Sequence, residues 1–246
     1  MEETVQTYQP EEKTMGGLSK VVNIFFEPRK VFESLKIKPT WLVPVIIVAV
    51  LGMGFFYYTF PYIMKEQVQN IRDNDRIPEE HKERIIERMT EAEHPPIWQM
   101  AIAPAGTLVY VVIVAAVLFF VFNVLMGGDS GFRRVFSVFC YSSLVAIPSM
   151  IVKFPLVMMK GNVNVQTSLG LLLSPDAKGS FLHSVLSSFD IFNVWQVILV
   201  SMGLGVLYKF STKKAFTTVV ILWIIWILAK SGFSSILGGG GGLIGI

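Results

Sequence analysis

The sequence is short of charge, cysteine and histidine, and each shortage removes a class of function. Only 16% of its 246 residues are Asp, Glu, Lys or Arg, against 52% that are hydrophobic, too little charge for a soluble domain of this size. The formal net charge is +3, and the basic residues sit in connections between apolar runs rather than in one patch, so nucleic acid is excluded as a partner. A single cysteine, Cys140, lies inside an apolar run, which rules out an intrachain disulfide. The three histidines, His81, His94 and His183, show no His-Glu-x-x-His spacing, and even with nearby Glu91 and Glu93 they are expected to be solvated loop residues rather than a metal set. No cofactor motif is expected. A cleavable signal peptide is not expected either, because Glu2, Glu3, Glu11 and Glu12 precede any apolar core, and the first apolar run must then direct insertion itself.

What the chain does have is long apolar runs. Residues 41–63, 100–126, 135–159, 191–210 and 215–237 are each about long enough to cross the roughly 30 Å hydrocarbon core of a bilayer as a helix. The reading is an all-α membrane protein, a five-span transmembrane helical bundle with an amphipathic amino-terminal interfacial helix. Trp41 marks one interface of the first span, and Tyr57, Tyr58 and Tyr62 mark the other. The second and third runs are separated only by residues 127–134 and read as a membrane hairpin. Gly127, Gly128 and Gly131 permit a tight reversal, Asp129 and Ser130 can bond its free backbone groups, and Arg133 and Arg134 make the turn basic. Pro148 and Pro155 should bend the third span, since each removes a backbone hydrogen bond.

The segments between and around the spans differ in kind. Residues 1–16 read as a disordered tail, and 238–246 as a glycine-rich one. Across 17–40, Leu18, Val21, Val22, Phe25 and Phe26 form the i, i+3, i+4, i+7, i+8 stripe of an amphipathic helix. Pro28 breaks that helix and can start a second, with Val31, Phe32 and Leu35 on one face and Arg29, Lys30, Lys36 and Lys38 supplying charge. The segment is expected to lie on a leaflet rich in anionic lipids, unless the stripe packs on the same protein instead. Residues 64–99 read as a charged helical hairpin inserted into the 41–237 membrane domain. Leaving that hairpin out, eleven Lys and Arg fall on the amino-terminal side and four on the other. The positive-inside rule then places the amino terminus in the cytoplasm of a multi-pass protein, expected in a bacterial inner membrane, although six basic residues of the hairpin weigh against it.

Ionisable residues within spans are costly and therefore informative. Chain direction brings Lys153, Asp190 and Lys230 to one leaflet, an expected intramembrane polar cluster in which Asp190 pairs with a lysine. The alternative is that Asp190 only caps the fourth span and the lysines snorkel to the interface. Asn123, Asn193 and Gln196 are expected to bond between helices, and Ser201 with Gly205 has the small-xxx-small spacing of close helix approach.

These residues carry a family resemblance. Over roughly residues 18–237 the chain resembles the Yip domain family, the Ypt/Rab-interacting proteins. It shares the five spans, Phe25-Phe26-Glu27-Pro28 followed by Phe32, Pro39, Trp41 and Pro44, the Gly127-Gly128 turn, and Phe189-Asp190 ahead of Trp195. The charged insert between the first two spans and the short amino-terminal tail look like the prokaryotic branch. The resemblance implies a noncatalytic protein that organises membranes, as eukaryotic members do in vesicle trafficking through small GTPases, with a protein partner or a second copy of the chain besides the lipid bilayer. A small-solute transporter is the second reading. An intramembrane serine protease is the third, because Gly128-Asp129-Ser130-Gly131 matches a nucleophile motif, but the histidines that would supply its base fall on the opposite side of the membrane.

Overall fold

The computed structural model describes residues 15–74, 77–90, 94–163, 165, 167–173 and 180–236. The carboxyl-terminal tail expected at 238–246 and nearly all of the amino-terminal one lie outside these residues, as do Glu91 and Glu93. Helix α1 (Gly17–Phe26) and helix α2 (Pro28–Ile37) precede α3 (Leu42–Arg72), α4 (Glu79–Thr90) and α5 (Ile97–Phe120), which ends in a π turn at Val121–Leu125. Then come α6 (Phe132–Ser142), a 3-10 turn at Ser143–Val145, α7 (Ala146–Lys160), α8 (Phe181–Ser188), α9 (Ile191–Tyr208) and α10 (Thr212–Ile236). Among the described residues five segments are long and apolar enough to cross a membrane, namely Leu42–Arg72, Ile97–Leu125, Phe132–Lys160, Ile191–Tyr208 and Thr212–Phe233. The protein is an all-α, multi-pass membrane protein.

The third and fourth spans form its centre. Of their most apolar windows 56% and 50% are buried, against 11–22% for the other three, whose Val50, Ile113 and Ile225 faces point outward as lipid-facing helices require. Every residue from Val135 to Ser142 is buried in α6, and the core runs on through Leu199, Val200, Leu204 and Leu207 of α9. Gly203 lets a third helix join them. A Cβ there would stand 2.4 Å from Val138 Cγ1 and 3.0 Å from the Phe32 ring, so only a glycine admits α2 to the α6–α9 groove.

The 127–134 turn is held by contacts the sequence only partly suggested. Gly127 takes φ 67, and a Cβ on Gly128 would lie 2.4 Å from the Tyr208 ring and 2.6 Å from the Phe122 carbonyl oxygen. Gly131 has no neighbour within 4 Å and ordinary dihedrals, so the reversal does not depend on it. The π turn carries the Gly128 N–H to the Phe122 carbonyl at 3.0 Å, and Asn123 Nδ2 donates to the Ser130 carbonyl at 2.8 Å. Asn123 therefore closes the turn that Asp129 and Ser130 were expected to close. Phe122, Tyr208 and Phe210 stack beside it with centroids 5.3–6.2 Å apart, joining this turn to the one between α9 and α10. Lys209 ends α9 in the left-handed conformation, φ 55, a position usually taken by glycine.

At the other end of the bundle α3 continues to Arg72, beyond the apolar run expected at 41–63, and α4 folds back on it. Lys82 Nζ donates to the Arg72 carbonyl at 3.0 Å and pairs with Glu79 at 2.7 Å, closing the charged hairpin. The third span changes to 3-10 bonding at Ser143–Val145, just before Pro148. Pro148 has no N–H to give the Leu144 carbonyl, and the tighter turn is the local response. Pro155 sits inside α7.

Candidate functional site

Helix α1 is oriented against the usual rule. Its inward face carries Ile24 and Lys20, 0% and 1% exposed, whereas Leu18, Val22 and Phe26 are 74%, 58% and 79% exposed on the opposite face. Val21 and Phe25 lie between and pack on the core, Phe25 edge-on to Trp195 of α9 with ring centroids 5.9 Å apart. The five-residue stripe thus faces away from the protein at one edge and touches it at the other. A helix that turns leucine and phenylalanine outward and a lysine inward gains nothing from water, but it suits a lipid environment.

The partner helix behaves differently. Val31, Phe32 and Leu35 of α2 are fully buried against α6 and α9, so the second half of the amphipathic segment packs on protein. Its charged side stays outside, with Arg29 paired to Glu33 at 3.2 Å and Lys30 paired to Glu27. The two helices are pinned at both ends. Met15 N–H donates to Ser34 Oγ at 3.0 Å, and Lys20 Nζ reaches the Lys38 carbonyl at 3.4 Å and Thr40 Oγ1 at 3.3 Å. Thr40 Oγ1 lies 3.3 Å from the Tyr141 hydroxyl of α6, and Trp41 packs edge-on against Phe136 at 5.5 Å. Burial, and then the neighbouring Lys38 charge, lower the pKa of Lys20. Sequence reasoning did not single out Lys20; its helical phase groups it with Ile24, away from Leu18, Val22 and Phe26, but only the packing shows that this side faces inward.

The polar residues expected at the far leaflet are brought together in part. Lys153 Nζ of α7 lies 3.0 Å from Asp190 Oδ2, with the carboxylate side chain 7% and the lysine 30% exposed. Asp190 also caps α9, its Oδ1 accepting from Phe192 N–H at 2.8 Å, while Thr167 donates to Oδ2. Ion pair and helix cap, posed as alternatives, coexist on two different oxygens. The Lys153 ammonium is also 5.7 Å from the centre of the Phe192 ring. Lys230 stands apart, exposed on α10 and without an ion pair among the described residues. Instead α10 is tied to this end by Ser231 with Ser184 at 3.0 Å and by Trp223 against Phe189 at 5.0 Å.

Of the amides, Gln196 Nε2 bonds across helices to Ser143 Oγ at 3.2 Å, whereas Asn193 bonds locally to the Ser188 carbonyl. Ser201 Oγ turns back on its own helix to Val197, and Gly205 faces Ala215 of α10, where a Cβ would sit 3.5 Å from the alanine methyl. Ser130 is buried in the 127–134 turn, at the end of the bundle opposite His81 on α4 and His183 on α8. His94 stacks on Tyr57 with centroids 5.4 Å apart. Among the described residues the buried Ser130 hydroxyl has no hydrogen-bond partner, so none of them stands on it as a base.

Five spans, outward apolar faces and a helix pair bound to the bundle define a polytopic α-helical membrane protein. The chain belongs to the Yip1 domain family, whose model matches residues 22–231, nearly the whole chain. No curated protein and no solved structure matches it. Of the residues that carried the resemblance, Phe25 meets Trp195, while Phe32, Trp41 and Gly128 pack against Gly203, Phe136 and Tyr208, which were not among them.

Proposed function

We propose that this protein is a noncatalytic membrane-organising scaffold, seated in a bacterial inner membrane with its amino terminus in the cytoplasm. The observation that carries the reading is α1, held on the bundle by α2 while Leu18, Val22 and Phe26 project outward. A rigidly attached helix whose apolar side faces lipid at headgroup depth occupies area in one leaflet only, which favours curvature. The exposed faces of α5 and α10 leave room for a second copy or a protein partner. Liposomes reconstituted at matched protein-to-lipid ratio test this by electron-microscopic sizing. The native chain should narrow the vesicles, and L18S/V22S/F26S should leave them at the diameter of empty liposomes; equal diameters with both proteins would overturn the reading. Passage of a small solute is the second reading, favoured by a cavity of about 420 Å³ between α3, α5, α7 and α9 near Pro44, Pro104 and Gln196. Solute flux that follows substitutions at Gln196 would favour it.

A further inference from the structure

A second cavity, of about 710 Å³, lies between α2, the start of α6 and the turn joining α9 to α10. Its rim carries Arg29, Lys36, Arg134 and Lys209, with Glu33 as the one carboxylate. Glu33 pairs with Arg29, and the other three cations have no ion pair among the described residues. Its floor is apolar, made by Met202 and Val206 of α9 with Phe210 beside them. Three elements distant in sequence thus converge four positive charges on one hollow, and Lys209 does so from a left-handed backbone position where glycine would fit more easily.

We propose that this cleft binds the phosphate-bearing headgroup of an anionic phospholipid. Arg134 stands in the first turn of α6 and Lys209 directly follows the last residue of α9, so the rim marks the level at which two spans leave the membrane. That is the depth of a lipid phosphate. Guanidinium and ammonium donors satisfy its oxygens, and the anion offsets the mutual repulsion of three unpaired cations. The apolar floor continues along α9 into the span, where an acyl chain can follow it; a soluble anion would make no use of that surface. The inference stands independently of the scaffold role.

The test uses the full chain purified in a neutral detergent, with phosphatidylglycerol, phosphatidylcholine or inorganic phosphate added, read by native mass spectrometry and thermal unfolding. Phosphatidylglycerol should stay bound and raise the unfolding temperature, and the other two should do neither. K36Q and R134Q should each weaken its retention about fivefold, as one lysine or arginine near a headgroup is worth about 1 kcal/mol. K209G should lose the same affinity while relaxing the backbone, which separates lost charge from lost folding, and the charge-conserving pair K36R/R134K should retain binding. K30Q removes an equal charge that pairs with Glu27 away from the cleft, and should change nothing. Equal retention of phosphatidylcholine, equal stabilisation by inorganic phosphate, or a loss with K30Q as large as with K36Q would each overturn the assignment.

Discussion

Asp190 combines roles that a sequence can only set against each other. One oxygen caps α9 through Phe192 N–H and the other meets Lys153 at 3.0 Å, so each role has its own consequence under mutation. Asp190→Asn keeps a capping oxygen but removes the charge, leaving the Lys153 ammonium without its counterion in a largely apolar setting. The expected loss of unfolding free energy lies between the ~1 kcal/mol of a surface pair and the roughly 3–5 kcal/mol of a buried one. Lys153→Met added to Asp190→Asn should recover much of it, a nonadditive cycle read by thermal unfolding in detergent, whereas Lys230→Met should act additively. A near-zero effect of Asp190→Asn would reduce this residue to a cap. Chain direction alone made the Lys153–Asp190 encounter foreseeable, since both sit at span ends on one side. It could not separate Lys153 from Lys230, because which lysine reaches the carboxylate depends on helix rotation and on the Phe189–Trp223 packing that sets α10.

At the scale of elements, amphipathic pattern says that a helix has two faces and not what covers them. Val31, Phe32 and Leu35 and the Leu18–Phe26 stripe look alike in sequence, yet α2 buries its apolar face in protein and α1 turns much of its own outward. The deciding residue was Gly203, 171 positions from Phe32 in the chain and legible only as one of several small residues in the fourth span. Pro148 was foreseen as a bend and acts as a local change to 3-10 bonding. The glycine turn separates in the same way. Gly128→Ala must push a methyl against the Tyr208 ring and the Phe122 carbonyl, and should cost about 1–3 kcal/mol of stability, while Gly131→Ala should be neutral within about 0.5 kcal/mol. Thermal unfolding of the two variants side by side checks this; equal losses would mean that the turn is not wedged by Tyr208.

On the scale of the whole molecule, the five spans were legible because apolar runs of about 20 residues are a one-dimensional signal. What was not legible is that burial concentrates in the third and fourth spans, with α1 and α2 packed beside them, since that follows from close contacts between distant residues. The packing puts the 127–134 turn, the 209–212 turn and the α1–α2 pair together, and the α3–α4 hairpin at the opposite end of α3. Reporter fusions read this arrangement in the living membrane. A reporter inserted after Lys214 should behave as cytoplasmic and one placed within α4 as external, because an odd number of spans separates the two sites in the chain. The same behaviour from both fusions would contradict the five-span bundle itself.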